Sequence, residues 1–95
     1  MATYISLVKF TDQGIRSVKD SPKRAEAVKA AAKKLGVTVK DIYWTVGHYD
    51  LVTVMEGDDE AVTTTLLKIG TLGNVRSETL RAFSAAEMGR ILSNV

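Results

Sequence analysis

Residues 44–55 read WTVGHYDLVTVM, and we interpret them as two strands joined by a tight reversal at Gly47-His48. Before the reversal Trp44 and Val46 alternate with Thr45 and Gly47, and after it Leu51, Thr53 and Met55 alternate with Val52 and Val54, which is the period of two that is typical of β-strands. The stretch contains the only histidine and the only tryptophan of the chain. A buried-strand pattern therefore leads directly into a group of side chains that are capable of chemistry.

The size and composition of the chain predict one domain over residues 1–95. Without cysteine, its stability depends on an apolar core or on association with another chain. The net charge of +2 is too small to indicate a nucleic-acid or membrane partner. The sequence shows no secretory signal and no apolar run of roughly 20 residues, so we expect a cytoplasmic protein.

Outside this stretch, strand patterns alternate with helix patterns. Strands are predicted over residues 3–11, 37–47, 49–56 and 74–83. The pair Lys40-Asp41 predicts a bend or bulge early in the second strand. A short helical turn or a loop is expected between Ile15 and Asp20.

Three longer helices follow from cap and breaker residues. Ser21 is the predicted cap of the first helix, which has Pro22 in its first turn and ends at a left-handed Gly36. The second helix begins at the acidic run Asp58-Asp59-Glu60, whose charges suit the positive end of the helix dipole. The last begins at a capping box formed by residues 84–87.

The element order predicts an α+β, ferredoxin-like βαββαβ fold, in which both crossover helices cover one face of a four-stranded antiparallel sheet. The other face then lacks a cover. We expect that bare face to carry apolar groups with polar groups among them, namely Tyr4, Val8, Phe10, Leu51, Met55 and Phe83 with Ser6, Thr53, Ser77, Thr79 and Arg81. Such a surface is unfavourable on a monomer, so we predict a homodimer through it that encloses a barrel-like space.

The run Gly47-His48-Tyr49-Asp50 resembles the Gly-x-Tyr-Asp signature of the GYD domain family. Further similar segments lie at residues 11–15, 19–22 and 72–83, so the resemblance extends over most of the chain. His48 occupies the variable position of the signature. The resemblance implies a small bacterial or archaeal protein with a dimeric α/β-barrel fold, and it implies no particular activity.

The candidate ligand-binding residues lie at the predicted mouth of the barrel: Asp12, Trp44, Tyr49, Asp50 and Arg81. Asp50 is a candidate base or hydrogen-bond acceptor with Tyr49 as a neighbouring donor. Alternatively, Asp50 accepts from backbone amides and Tyr49 packs on Trp44. Arg81 is suited to hold a carboxylate or phosphate, or else pairs with an acidic side chain at the rim.

His48 completes the set of candidate catalytic residues, Asp50, His48 and Tyr49. It is either a general base or an exposed turn residue. A lone histidine without cysteine is a poor metal ligand set, and no cofactor-binding motif is present, so we expect neither a metal nor a cofactor. The basic residues around the first helix indicate a solvated face rather than a nucleic-acid site.

Three classes of function remain open from the sequence, and the third is a nucleic-acid or regulator-associated module that would bind through the basic first helix in a salt-dependent way. The first is a homo-oligomeric small-molecule-binding or assembly domain that uses the sheet face and the barrel mouth. The second is a cofactor-free oxygenase or isomerase that acts on a small molecule in the same pocket, with Asp50 or His48 as base. The expected partners are a second copy of the chain and a small-molecule ligand, with no nucleic acid and no membrane.

Overall fold

The computed structural model describes residues 2–95; residue 1, which the predicted domain includes, lies outside the described residues. The strands are β1 Ala2–Phe10, β2 Thr38–Trp44, β3 Leu51–Gly57 and β4 Val75–Ala82. The helices are α1 Asp12–Arg16, α2 Ser21–Lys34, α3 Asp59–Thr71 and α4 Ala85–Leu92, with a 3₁₀ turn at Val18–Asp20. The predicted α+β, ferredoxin-like element order is confirmed, with a short helix that begins earlier than the predicted turn.

The four strands form one antiparallel sheet in the order β2-β3-β1-β4. The predicted irregularity in β2 is confirmed, because its register against β3 shifts between Val39 and Asp41. Helices α2 and α3 pack on one face of this sheet. Their buried residues Ala32 and Val62 join Val37 and Met55 in the core cluster.

The predicted assignment of residues to the two faces of the sheet is wrong. Met55 is 2% exposed and packs with Ala32 and Val62 of the helices, and Tyr4 packs against the same cluster. Most of the alternating set that we expected on the bare face therefore lies on the side of the helices, although Phe83, Arg81 and Ser77 are exposed. We call this side the covered face. Right-handed crossovers put both helices on one side, but they do not determine which alternate set of side chains lies there.

The opposite side, which we call the open face, carries the other alternating set. The strand registers place Ile5 beside Val54 and Leu80, and Leu7 beside Val52. In chain order of the strands, the open face includes Ile5, Leu7 and Lys9 of β1, Asp41 and Tyr43 of β2, Val52, Val54 and Glu56 of β3, and Arg76, Glu78 and Leu80 of β4. No helix packs on this face within residues 2–95. A bare sheet face therefore exists as predicted, with different residues on it.

The helix ends agree with the sequence patterns except at the start of α2. Gly36 takes a φ of 83° after α2, and Ser84 and Glu87 form the predicted capping box of α4. Ser21 is not the cap of α2, because the cap position falls on Asp20. The Ser21 hydroxyl instead accepts a hydrogen bond from the Trp44 indole Nε1 at 3.0 Å, which ties α2 to the end of β2.

Helix α4 follows β4 and contains no buried residue. Its apolar side chains Met88, Ile91 and Leu92 are all at least 39% exposed. These positions follow the i, i+3, i+4 spacing of one helix face. The domain therefore presents an amphipathic helix whose apolar side the described chain does not cover. Across residues 2–95, no helix has both the length and the apolar character needed to cross a bilayer.

Candidate functional site

The loop between β2 and β3 is fixed by the backbone and carboxylate of Asp50. Its Oδ2 accepts a hydrogen bond from the backbone N–H of Phe10 at 2.8 Å, and its own N–H donates to the Val8 carbonyl at 2.8 Å. The Asp50 carbonyl accepts from the N–H of Thr45 at 2.8 Å. Gly47 has a φ of 134°, which favours glycine at this point of the reversal. The signature loop is thereby fastened to the end of β1.

Tyr49 lies across one end of the open face. Its carbonyl accepts from the Thr45 hydroxyl at 2.6 Å, and its Oη donates to Glu78 Oε2 at 2.9 Å. The Lys9 ammonium sits 5.7 Å from the centre of its ring. The hydrogen bond to Glu78 is the main cause that raises the pKa of Tyr49, with desolvation and the negative charge of Glu78 adding to it. The side chain thus links the loop to β1 and β4.

His48 is exposed and meets the Tyr49 ring edge-on, with 4.9 Å between ring centres. The Asp50 carboxylate is engaged with a backbone amide, as described above. These contacts match the alternative in which Asp50 accepts from the backbone. Tyr49 packs toward Lys9 and Glu78 on the open face, whereas Trp44 donates to Ser21 on the covered side. The expected packing of Tyr49 on Trp44 is therefore wrong.

Arg81 lies far from this loop. In the β1–β4 register it pairs with Tyr4, whereas Asp50 binds Phe10, about 20 Å further along β1 at roughly 3.3 Å per residue. Its guanidinium stacks over the rings of Phe83 at 4.3 Å and Tyr4 at 5.6 Å, and it donates to the Ala82 carbonyl. The Tyr4 hydroxyl in turn donates to Asp59, which raises the pKa of Tyr4.

Asp12, the remaining candidate, is the exposed first residue of α1. The structure thus brings Tyr49 and Asp50 together with His48 and separates Arg81 from them. Trp44 pairs with Leu51 beside Asp50, but its indole bonds Ser21 on the covered side. Ligand binding by these residues stays a prediction. Among residues 2–95, no group of three or more histidine, cysteine or acidic side chains is arranged to hold a metal ion.

Sequence reasoning missed the packing of residues 11–14 on the loop before β4. The Thr11 N–H donates to the Asn74 carbonyl at 3.0 Å, and its hydroxyl donates to the Gly73 carbonyl at 2.6 Å. A Cβ on Gly14 would stand 1.9 Å from the Asn74 carbonyl oxygen, so only glycine fits there. The signal was Thr11 followed three residues later by Gly14, where the threonine hydroxyl caps α1.

Sequence reasoning also missed a cavity of about 110 Å³ between the covered face and helices α2 and α3. Its walls include Val8 and Leu51 of the sheet and Val28 and Leu66 of the helices. The small side chains of the covered face were the available signal. The wrong assignment of the faces concealed it, since it placed these side chains on the outer surface.

The sheet order and the two covering helices define the ferredoxin-like class of α+β proteins. Comparison with known families identifies the family within this class, because residues 4–92 match the GYD domain. The chain belongs to the GYD domain family.

One relative, from Thermus thermophilus, is named glutamine synthetase and cystathionine beta-lyase binding protein. It is 33% identical over 90 residues, which cover 93% of this chain and 95% of the relative. The crystal structure of TTHA0845, also from Thermus thermophilus, superposes with a TM-score of 0.57 at 30% identity, covering 90% of this chain and 96% of that one.

The crystal structure of FFRP-DM1 gives a TM-score of 0.62 at 23% identity and covers 87% of this chain and all of that one. At this level of identity the likeness supports the fold alone.

Proposed function

We propose that this protein is a homo-oligomeric assembly domain that binds a protein partner and has no catalytic activity of its own. The observation that carries this proposal is the composition of the open face. Branched aliphatic side chains pair across three strands there, with Ile5 between Val54 and Leu80, and Leu7 beside Val52. Exposed contiguous apolar surface of this kind marks interaction sites on soluble proteins.

The open face has the size and charge pattern of a self-complementary interface. Four strands about 4.8 Å apart and about seven residues long give roughly 450 Å² of flat sheet, which suits the centre of an interface of about 800 Å² per partner. Its margin carries both signs of charge, with Lys9, Arg76 and Glu78 near one end and Asp41 and Glu56 near the other. A twofold axis therefore allows a second copy of this chain to cover the face with opposite charges facing each other.

The partner protein is inferred from the relative and from α4. The Thermus thermophilus relative is named for binding glutamine synthetase and cystathionine beta-lyase, and it matches nearly the whole of this chain. Helix α4 offers an apolar stripe of Met88, Ile91 and Leu92 that suits insertion into a groove. We infer that the dimer presents α4 to an enzyme such as glutamine synthetase or cystathionine β-lyase.

The contacts of the signature loop favour this binding function over the enzymatic alternative. A general base needs a free lone pair that faces a substrate. Asp50 Oδ2 accepts from the Phe10 amide, and neither Asp50 nor His48 lines the cavity between the sheet and the helices. The proposed oxygenase or isomerase with Asp50 or His48 as base therefore remains the weaker candidate.

Light scattering of purified protein at micromolar concentration tests the proposed dimer. We expect a dimer for the wild type and a monomer for Val54→Lys, because the new charge would be buried in the interface. Thr63→Lys on the exposed face of α3 makes the same change of charge and is expected to remain dimeric. A stable wild-type monomer, or equal behaviour of the two variants, would contradict the dimer.

The proposed partner is tested by measuring how this protein binds to immobilised glutamine synthetase and cystathionine β-lyase from its own source organism. Ile91→Glu is expected to weaken binding at least tenfold, while light scattering still reports a dimer. Ala86→Glu lies on the other side of α4 and is expected to bind like the wild type. Failure of the wild type to bind either enzyme would refute this choice of partner, and equal binding by both variants would refute the role of α4.

A further inference from the structure

We propose that the interior of this domain is a binding site for a compact, uncharged and mainly apolar molecule of about one ring. The site is the cavity of about 110 Å³ between the covered face and helices α2 and α3. This inference is independent of the proposed dimer and its partner, because the open face lies on the other side of the sheet. The principal lining residues are Val8, Val28, Ile42, Leu51, Leu66 and Ile69.

The cavity originates from a row of small hydroxyl side chains across the covered face. The registers place Ser6 of β1 between Thr53 of β3 and Thr79 of β4. Ser6 is 1% exposed, and its Oγ lies 2.8 Å from the Thr79 Oγ1. Protein cores normally fill such central positions with large aliphatic side chains. Here three adjacent strands present small residues, and the helices above do not fill the space.

The groups around the cavity favour an uncharged ligand. Arg24 lies at its edge, but its guanidinium donates to the Ser17 carbonyl at 2.9 Å and to the Ser17 hydroxyl at 3.0 Å. The remaining walls are mainly aliphatic. The Thr53 and Ser77 hydroxyls line the cavity without a side-chain hydrogen-bond partner within residues 2–95. The matching ligand is thus an apolar ring with at most one hydroxyl group.

The size and access of the cavity agree with such a ligand. An engineered apolar cavity of about 150 Å³ binds benzene or xenon, so a site of this size takes a molecule of one ring. The cavity is partly open to solvent. Two lining residues, Ser77 and Leu72, are exposed, and Leu72 reaches 60%. The entrance therefore lies between the end of α3 and the edge strand β4.

Methyl NMR spectra with benzene and with phenol as probes test the site. We expect saturable shifts of the methyl groups of Val28, Leu51 and Leu66, with unchanged signals from Ile5 and Val54 on the open face. Phenol is expected to bind more tightly than benzene because it reaches the free hydroxyls. Absence of saturable shifts, or shifts confined to the open face, would overturn the proposal.

Replacing either of two alanines of α2 with leucine makes the test of the cavity specific. Ala25 lines the cavity, whereas Ala30 is exposed on the outer side of the same helix. Ala25→Leu is expected to lower benzene affinity at least tenfold and to raise Tm, because the side chain fills the void, while Ala30→Leu leaves both unchanged. Undiminished binding by Ala25→Leu would overturn the site.

Ser77→Leu provides a second filling variant at the exposed edge strand, which decides the question if Ala25→Leu does not fold. It is expected to lower affinity in the same way, and wild-type affinity in this variant would overturn the site. The dimer-breaking Val54→Lys is expected to keep wild-type affinity for benzene. Failure of the cavity site and failure of the dimer are therefore distinguishable.

Discussion

At their centres, the two faces of the sheet differ in a way that their cover does not explain: the face under the helices has hydroxyl side chains, and the open face has aliphatic ones. The covered face carries a row of hydroxyls, Thr53, Ser6 and Thr79, and has a cavity above it. The open face carries branched aliphatics such as Ile5 and Val54 in the equivalent central positions. The hydrophobic effect would favour the reverse arrangement in a monomer, since apolar area contributes to stability only when it leaves water. The apolar open face is the observation on which the proposed dimer rests.

Neighbouring residues of β3 give the largest expected contrast between the faces. Met55 is 2% exposed on the covered face, so Met55→Ala should lower the free energy of unfolding by about 2–5 kcal/mol through loss of packing. This loss should not depend on protein concentration. If the proposed dimer forms, Val54→Ala on the open face should destabilise the protein more at high protein concentration than at low concentration. Urea denaturation at two protein concentrations measures both, and identical concentration dependence would remove the contrast.

The next contrast concerns the loop that fastens Tyr49 onto the open face. Asp50→Ala should lower the free energy of unfolding by about 1–3 kcal/mol, because the Phe10 N–H loses its charged acceptor. His48→Ala, at an exposed position two residues before Asp50, should change the free energy of unfolding by less than about 0.5 kcal/mol. Thermal denaturation of both variants provides the measurement. An equal loss from the two substitutions would show that Asp50 does not anchor the loop.

A smaller effect is expected from the Tyr49–Glu78 hydrogen bond at the end of the open face. The pKa of Tyr49 is raised in the folded state, so its contribution to stability is complete below pH about 10 and is lost as pH rises through the folded pKa. Glu78→Gln should lower this pKa toward its ordinary value. Phenolate absorbance, taken as the difference from Tyr49→Phe, measures it. An unchanged titration in Glu78→Gln would contradict the assigned cause.

The smallest effect concerns α4, which belongs to neither face. The backbone N–H of Ser84, followed by its side chain, holds the pKa of Glu87 below its usual value. The stabilisation of α4 is therefore present above pH about 4.3 and is lost as pH falls through the folded pKa. Amide NMR signals of residues 85–92 should show this fraying in the wild type. In Glu87→Gln the same titration step should be absent.

Much of the fold could be predicted because its signals are local. The period-two pattern, Gly36 after α2 and the Ser84 capping box each act within a few residues, and the structure confirms them. The faces could not be assigned, because that depends on which set of side chains meets helices far away in sequence. For the same reason, the position of Arg81 relative to Asp50 depends on strand registers that local patterns do not contain.

The only sign of the cavity in the sequence was the small side chains of the covered face, since a void is a property of how several elements meet. Ser6 and Thr53 resemble ordinary solvent-facing strand residues until their register is known. The hydrogen bond from a backbone amide to Asp50 was one of two alternatives that the sequence predicted. The choice between them required the distance to the amide of Phe10, a residue far from Asp50 along the chain.

The register shift at Val39 and Asp41 has a consequence for aggregation. The outer strands β2 and β4 both leave backbone groups unpaired, and such margins can recruit further strands. On β2 the irregular backbone and the charges of Lys40 and Asp41 discourage that addition. Only β4 is regular throughout its pairing with β1. Strand addition between copies is therefore expected at the β4 margin rather than at β2.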